Sequence, residues 1–172
     1  MTLMNRKISN FFYENDALIN TRFLNIHNSY GDSQVIDRNI MFTAARMDLI
    51  RYIINAELQI CSWYRSVALQ AKYGKEFSSF TRGLSVEFRV KGPAGSTGKA
   101  FDKLKDKILG INSVTISVHE LIYFPDRDIL LITFRPNMKE RNKIGLKKAN
   151  SHINWLVKDG KVIKKIGGSK CL

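Results

Sequence analysis

The sequence predicts an α+β domain in which N-terminal helices pack on a mainly antiparallel sheet, followed by a C-terminal β-hairpin. Three observations support this fold class. Apolar residues recur at helical spacing over residues 37–56. Apolar and polar residues alternate over 84–90, as in a strand with one buried face. Asp159-Gly160 lies between two alternating segments, which is the pattern of a hairpin turn.

The helices are expected mostly in the first part of the chain. A short helix is predicted over residues 8–19 and a polar loop over 20–36. The long helix over 37–56 has Asp37 as its expected N-cap. A further helix is expected before Gly110, a residue type that commonly ends helices.

The strands are expected mainly in the second part. They are predicted over residues 58–61, 84–90, 114–118 and 129–134. The last of these is almost continuously apolar, so it is expected near the centre of the sheet.

Composition limits the class of protein. The chain has 172 residues, enough for one domain with a full core. Apolar residues make up 44% and there are only 3 prolines, which excludes a disordered or collagen-like chain. No apolar run reaches the roughly 18–20 residues of a membrane span. The first residues lack the apolar stretch of a signal peptide, so no secretion signal is expected.

The net charge of +13 is concentrated at the C-terminal end. Residues 135–172 hold 11 Lys and Arg against Glu140 and Asp159, which accounts for +9. Such a segment can attract phosphate backbones, or it can simply be a solvated surface, and the sequence leaves both interpretations open. The predicted contacts with an anionic partner are Lys147, Lys148, Trp155, Lys158, Lys161, Lys164 and Lys165.

A more specific pattern lies in the middle of the chain. The segment Ser62-Trp63-Tyr64-Arg65-Ser66 is followed by Ser78-Ser79-Phe80-Thr81-Arg82-Gly83-Leu84-Ser85-Val86-Glu87-Phe88. This pair of segments resembles the M15 zinc peptidases, the family of D-alanyl-D-alanine carboxypeptidases and phage endolysins. The resemblance implies a hedgehog/DD-peptidase-like domain over residues 1–149, with residues 150–172 as a basic hairpin extension.

The resemblance retains the scaffold of the family's cleft but not its metal ligands. It implies that the cleft or ligand-binding residues are Tyr64, Arg65, Ser66, Ser78 and Gly83. The two metal histidines are replaced by Phe80 and Leu131, the metal aspartate by Glu87, and the catalytic carboxylate by Phe124. Catalytic zinc needs about three protein ligands, and Phe and Leu offer no lone pair. We therefore expect neither a metal nor a catalytic residue in this former cleft.

The function implied is that of a catalytically inactive, endolysin-like pseudoenzyme, encoded by a phage or virus. It would act as a virion- or cell-wall-associated binding or structural module in the virion or the host cytoplasm, with peptidoglycan fragments or other virion proteins as partners. Two alternatives remain open. One is an active peptidoglycan-cleaving metallopeptidase whose zinc is held by relocated ligands such as His119, Asp126 or Asp128. The other is a basic protein that associates with nucleic acid through the C-terminal segment.

Arg65 has two possible roles. Its guanidinium suits bidentate pairing with a ligand carboxylate. It could instead pair with Glu87, since a carboxylate beside apolar Phe80 and Leu131 needs a partner.

Overall fold

The fold is described by a computed structural model that covers residues 5–74, 77–110, 117–136, 142–148, 151–158 and 161–166. For residues 108–110 and those from 142 onward, the description is limited to the backbone. The α+β class is confirmed, with four α-helices and seven strands among the described residues. The helices are α1 (Glu14–Leu18), α2 (Gln34–Ile54), α3 (Val67–Ala71) and α4 (Ser96–Gly110). The strands are β1 (Leu58–Ser62), β2 (Ser85–Val90), β3 (Val118–Phe124), β4 (Ile129–Phe134), β5 (Asn142–Lys148), β6 (Ser151–Lys158) and β7 (Lys161–Ile166).

The strands form one sheet in the order β1-β2-β4-β3-β5-β6-β7. Neighbouring strands are antiparallel except β3 and β5, which are parallel. Alternate residues of a strand lie on opposite faces, so the sheet has two distinct surfaces. The helix face carries Phe88, Leu121 and Ile132, which belong to one buried cluster with apolar residues of α2 and α4. The outer face carries Glu87 and, opposite it on β4, Leu131.

The N-terminal helix is shorter than predicted. Only Glu14–Leu18 is helical, because the buried carboxylate of Asp48 holds the preceding segment in an irregular conformation. This carboxylate accepts hydrogen bonds from the backbone N–H groups of Asn10 (2.9 Å) and Phe11 (3.3 Å).

The long helix begins earlier than predicted. Ser33, not Asp37, is its N-cap, and the Ser33 side chain accepts a hydrogen bond from the Ile36 N–H. The Asp37 carboxylate instead binds the guanidinium of Arg6 and the hydroxyl of Tyr30.

The strand predicted over 114–118 falls largely outside the described residues, which do not include 114–116. Ser117 has a left-handed backbone with φ of 58°. The strand that follows runs from Val118 to Phe124 and pairs with β4. Strand β5 was not predicted at all.

The expected C-terminal hairpin is present as the antiparallel pair β6 and β7, with Lys158 opposite Lys161. The turn residues Asp159 and Gly160 lie outside the described residues. Because β6 pairs with β5, the hairpin extends the main sheet. The domain boundary after residue 149 stays a prediction. Within the described part of the chain, no helix combines the length and apolar character needed to cross a membrane.

Candidate functional site

The site is built around Arg65, which follows β1. Its backbone N–H donates to the carbonyl of Phe80 at 3.2 Å. Asn28 fixes the residues on either side, because its Nδ2 donates to the Tyr64 carbonyl (2.7 Å) and its Oδ1 accepts from the Ser66 N–H (2.8 Å). These bonds hold the turn against the loop that precedes α2, so the position of Arg65 is set by residues distant in sequence.

The guanidinium of Arg65 lies between two aromatic rings. Its central carbon is 3.7 Å from the centre of the Tyr73 ring and 3.6 Å from that of Phe80. The residue is only 4% exposed. A desolvated cation stacked on an aromatic face gains about 2 kcal/mol or more per ring, so this arrangement stabilises the buried charge.

Glu87 supplies the opposite charge. Its Oε2 is 3.0 Å from Arg65 Nη2, and the two side chains are 13% and 4% exposed. This close contact is an ion pair. Arg65 Nε donates to Ser62 Oγ at 2.9 Å. Burial lowers the pKa of Arg65, and the charge of Glu87 opposes that shift. The expected internal pairing of Arg65 and Glu87 is thus confirmed.

Three of the four positions that the resemblance assigns to metal ligands and the catalytic carboxylate meet at this pair. Phe80 stacks on Arg65, Glu87 pairs with it, and Leu131 is the cross-strand neighbour of Glu87. Phe124 lies two residues further along β3 than Ile122, the cross-strand neighbour of Leu131. It lies at the end of β3 opposite Ile129, where the Arg127 guanidinium is 4.4 Å from its ring centre.

Two of the predicted cleft residues stabilise local backbone. Ser66 is the N-cap of α3, with its hydroxyl accepting from the Leu69 N–H at 3.3 Å. The Ser78 hydroxyl accepts from the Phe80 N–H at 3.2 Å and so helps to place the ring that covers Arg65.

Tyr64 and Gly83 contribute to packing. Tyr64 is 5% exposed, and its ring meets that of Tyr30 edge to face. Gly83 has a left-handed φ of 72°, and a Cβ there would lie 2.8 Å from Ile40 Cγ1. Its carbonyl accepts from Trp63 Nε1 at 3.1 Å. Glycine is therefore required at this position by both conformation and space.

Two residues of the site were missed by sequence reasoning. Tyr73 supplies one of the rings around Arg65, and Asn20 donates to the Tyr73 hydroxyl (2.8 Å) and to Ser62 Oγ (3.1 Å). Neither belongs to a recognisable motif, since Asn20 lies in a segment interpreted as a polar loop. Asn20 lies more than forty positions from both of these partners, a separation that no local pattern reveals.

A chain of hydroxyl groups extends the site along the outer face. Ser85 Oγ lies 2.5 Å from Ser79 Oγ and 2.8 Å from Thr133 Oγ1. Thr133 Oγ1 in turn donates to Glu120 Oε2 at 3.1 Å. Ser85 and Thr133 are almost completely buried, so these bonds satisfy polar groups that would otherwise be costly.

The alternative of an active peptidase requires a new set of zinc ligands. In the described part of the chain, no group of three or more His, Cys, Asp or Glu could hold a metal. The Asp128 carboxylate accepts hydrogen bonds from Thr97 (3.2 Å) and Tyr123 (3.0 Å). His119 is buried, whereas Asp126 is exposed.

Comparison with known proteins gives no relative. No family model matches the chain, and neither a curated protein nor a solved structure matches it. The relationship to the M15 peptidases therefore stays a prediction that depends on the residues quoted above.

The predicted contacts with an anionic partner lie in the last three strands. Lys147 and Lys148 are in β5, Trp155 and Lys158 in β6, and Lys161, Lys164 and Lys165 in β7.

Proposed function

We propose that the chain is a catalytically inactive, M15 peptidase-like protein that acts as a peptidoglycan-associated binding module, at the cell wall or in a phage virion. The observation that carries this proposal is the buried ion pair of Arg65 and Glu87. It occupies the place that the resemblance assigns to zinc. Phage or viral origin is part of the proposal and follows from the likeness to endolysins.

The chemistry of this site is unfavourable to zinc. Glu87 is the one of the implied ligand positions that still carries a donor, and one of its oxygens is 3.0 Å from Arg65. Moving this carboxylate from Arg65 onto a metal would leave a guanidinium charge buried without its partner, which costs about 3–5 kcal/mol. Phe80 and Leu131 cannot compensate, because neither side chain has a lone pair.

A cavity beside the site supports a binding role. It has a volume of about 520 Å³ and includes Asn20, which is hydrogen-bonded to Tyr73. Its lining combines polar groups such as His27 with apolar groups such as Phe23 and Leu24. A mixed lining of this kind suits a fragment that has both hydrogen-bonding and apolar groups, as peptidoglycan has.

The first experiment measures metal content. Wild-type protein and E87Q are dialysed against zinc, then against metal-free buffer, and analysed by mass spectrometry. We expect far less than one zinc per chain in both. One zinc per chain in the wild type that is lost in E87Q would overturn the inactive assignment and favour the active peptidase.

The second experiment measures binding and cleavage of purified peptidoglycan sacculi. We expect the protein to sediment with sacculi without releasing soluble fragments, with or without a chelator. Leu24 is 80% exposed at the cavity, so L24A should weaken sedimentation. L49A is the matched control, because Leu49 is 39% exposed on α2 and does not line the cavity. Absence of binding, or equal losses in the two variants, would contradict a binding module at this cavity.

A further inference from the structure

The pairing of β5, β6 and β7 divides their lysines between the two faces of the sheet. These three strands contain seven lysines. Directly paired residues share a face, and so do alternate residues along one strand. Lys143 is paired with Leu156, and Leu156 is paired with Lys164. Lys147 is four residues beyond Lys143, so it lies on the same face.

The same face continues to the hairpin end. Lys158 is two residues beyond Leu156 and is paired with Lys161. The register of β6 against β7 shifts by one residue between Leu156 and Val157, so Lys161 and Lys164 share a face although they are three residues apart. Five of the seven lysine positions therefore share one face: Lys143, Lys147, Lys158, Lys161 and Lys164. The distance along β6 from residue 152 to residue 158 is about 20 Å, since each residue step adds roughly 3.3 Å.

The opposite face is mainly apolar. Trp155 is paired with Ile144 on one side and with Lys165 on the other, and Leu146 is paired with Ile153. Lys148 is the second lysine position on this face. Trp155 thus lies on the opposite face from most of the lysines.

The pairing of β5 with β3 identifies these two faces with those of the main sheet. Ile144 is paired with Leu121, a residue of the buried core, so the apolar face continues the helix face. Lys143 is paired with Glu120, so the five lysine positions continue the outer face.

Two exposed arginines add to the charge of the outer face. Arg89 is two residues beyond Glu87 on β2, and its Nη2 donates to the carbonyl of Arg127 at 2.9 Å. Arg127 belongs to the turn Pro125–Arg127, which contacts β5.

We propose that this basic outer surface, formed by the five lysine positions with Arg89 and Arg127, binds the phosphate backbone of duplex nucleic acid without reading its bases. Its charge complements a polyanion, since a duplex presents about one negative charge per 1.7 Å and hence about twelve over 20 Å. Surfaces for single strands usually add aromatic side chains for base stacking. Trp155, the one Phe, Tyr or Trp of β5–β7, lies on the other face, which favours a duplex. On this proposal Trp155, Lys148 and Lys165 do not contact the duplex.

Adjacent lysines provide a matched test. K147Q/K164Q removes two charges from the basic outer surface, and K148Q/K165Q removes two from the same strands on the opposite face. Binding of a fluorescent DNA duplex of about 20 base pairs is measured by anisotropy over a range of KCl concentrations. For K147Q/K164Q we expect weaker binding and a plot of log K against log salt that is flatter by about 1.8. For K148Q/K165Q we expect less than half that change.

The outcomes that overturn the proposal are distinct. No binding of duplex by the wild type would overturn the proposal outright. Equal changes in the two double variants would show that binding does not depend on the outer face. Tighter binding of a single strand of the same length would overturn the choice of duplex. If either double variant has a lowered unfolding midpoint, R89Q/R127Q is compared with R38Q/K99Q, whose residues are exposed on α2 and α4. The first should flatten the plot and the second should not.

Discussion

The ion pair of Arg65 and Glu87 should contribute strongly to stability, and E87Q tests this directly. Gln has nearly the same shape as Glu and keeps an oxygen acceptor, so the substitution removes the charge and little else. Arg65 is 4% exposed and would keep its positive charge between Tyr73 and Phe80 without a counter-charge.

The expected magnitude follows from burial. Removing one partner of a buried ion pair costs about 3–5 kcal/mol. The Glu87 side chain is 13% exposed and the Gln oxygen can still accept a hydrogen bond, so we expect about 3 kcal/mol. For a chain of 172 residues this corresponds to a melting temperature lower by about 6–12 °C.

The assay is urea unfolding followed by circular dichroism, with E57Q as the control. Glu57 also forms an ion pair, with Lys91, but their side chains are 56% and 53% exposed, so E57Q should leave the midpoint unchanged. The double variant R65M/E87M should recover at least half of the loss, because apolar side chains can pack between the two rings. Equal stability of E87Q and wild type would refute this reasoning.

Three further predictions concern other parts of the fold. In urea unfolding, G83A should lower the free energy of unfolding by about 1–3 kcal/mol more than G74A does. Both glycines have positive φ, but only at Gly83, of these two, would a Cβ approach a side chain, at 2.8 Å. Equal losses in the two variants would contradict the packing argument. D37N should be less stable than wild type at neutral pH, because Arg6 lowers the pKa of Asp37 below its ordinary value of 3.8. A lowered carboxyl pKa stabilises the fold above pH 4 and loses its effect as the pH falls. The difference in urea midpoint between wild type and D37N should therefore be constant from about pH 7 to 5 and shrink below about pH 4. A difference that grows at low pH would contradict this argument. T133V should cost about 1–3 kcal/mol, because Thr133 bonds both Ser85 and Glu120, whereas T21V, at an exposed position, should have no effect.

Local patterns predicted the elements that depend on local periodicity. The alternation over 84–90 matches β2 to within one residue, and the helical spacing over 37–56 places most of α2. In contrast, the shortening of α1 depends on Asp48, which is 38 residues from Asn10. No local pattern at residues 8–13 carries that information.

The candidate site was predicted in part for the same reason. The ion pair of Arg65 and Glu87 could be predicted from the sequence, because a carboxylate without a partner beside apolar residues is costly. Tyr73 and Asn20 could not, since they reach the site through the loop before α2 and the segment after α3. The lysines of the C-terminal strands could not be assigned to a face from the sequence, because the assignment needs the strand register. A shift of one residue exchanges the two faces.

The most direct test of the central claim is a crystal structure determined from crystals grown with excess zinc, with anomalous data at the zinc absorption edge. The claim predicts that Arg65 Nη2 remains about 3 Å from Glu87 Oε2, as in an ion pair, and that no anomalous peak lies within the roughly 2.0–2.3 Å of a zinc ligand from Glu87. A zinc ion bound to the Glu87 carboxylate, with Arg65 displaced from between Tyr73 and Phe80, would contradict it.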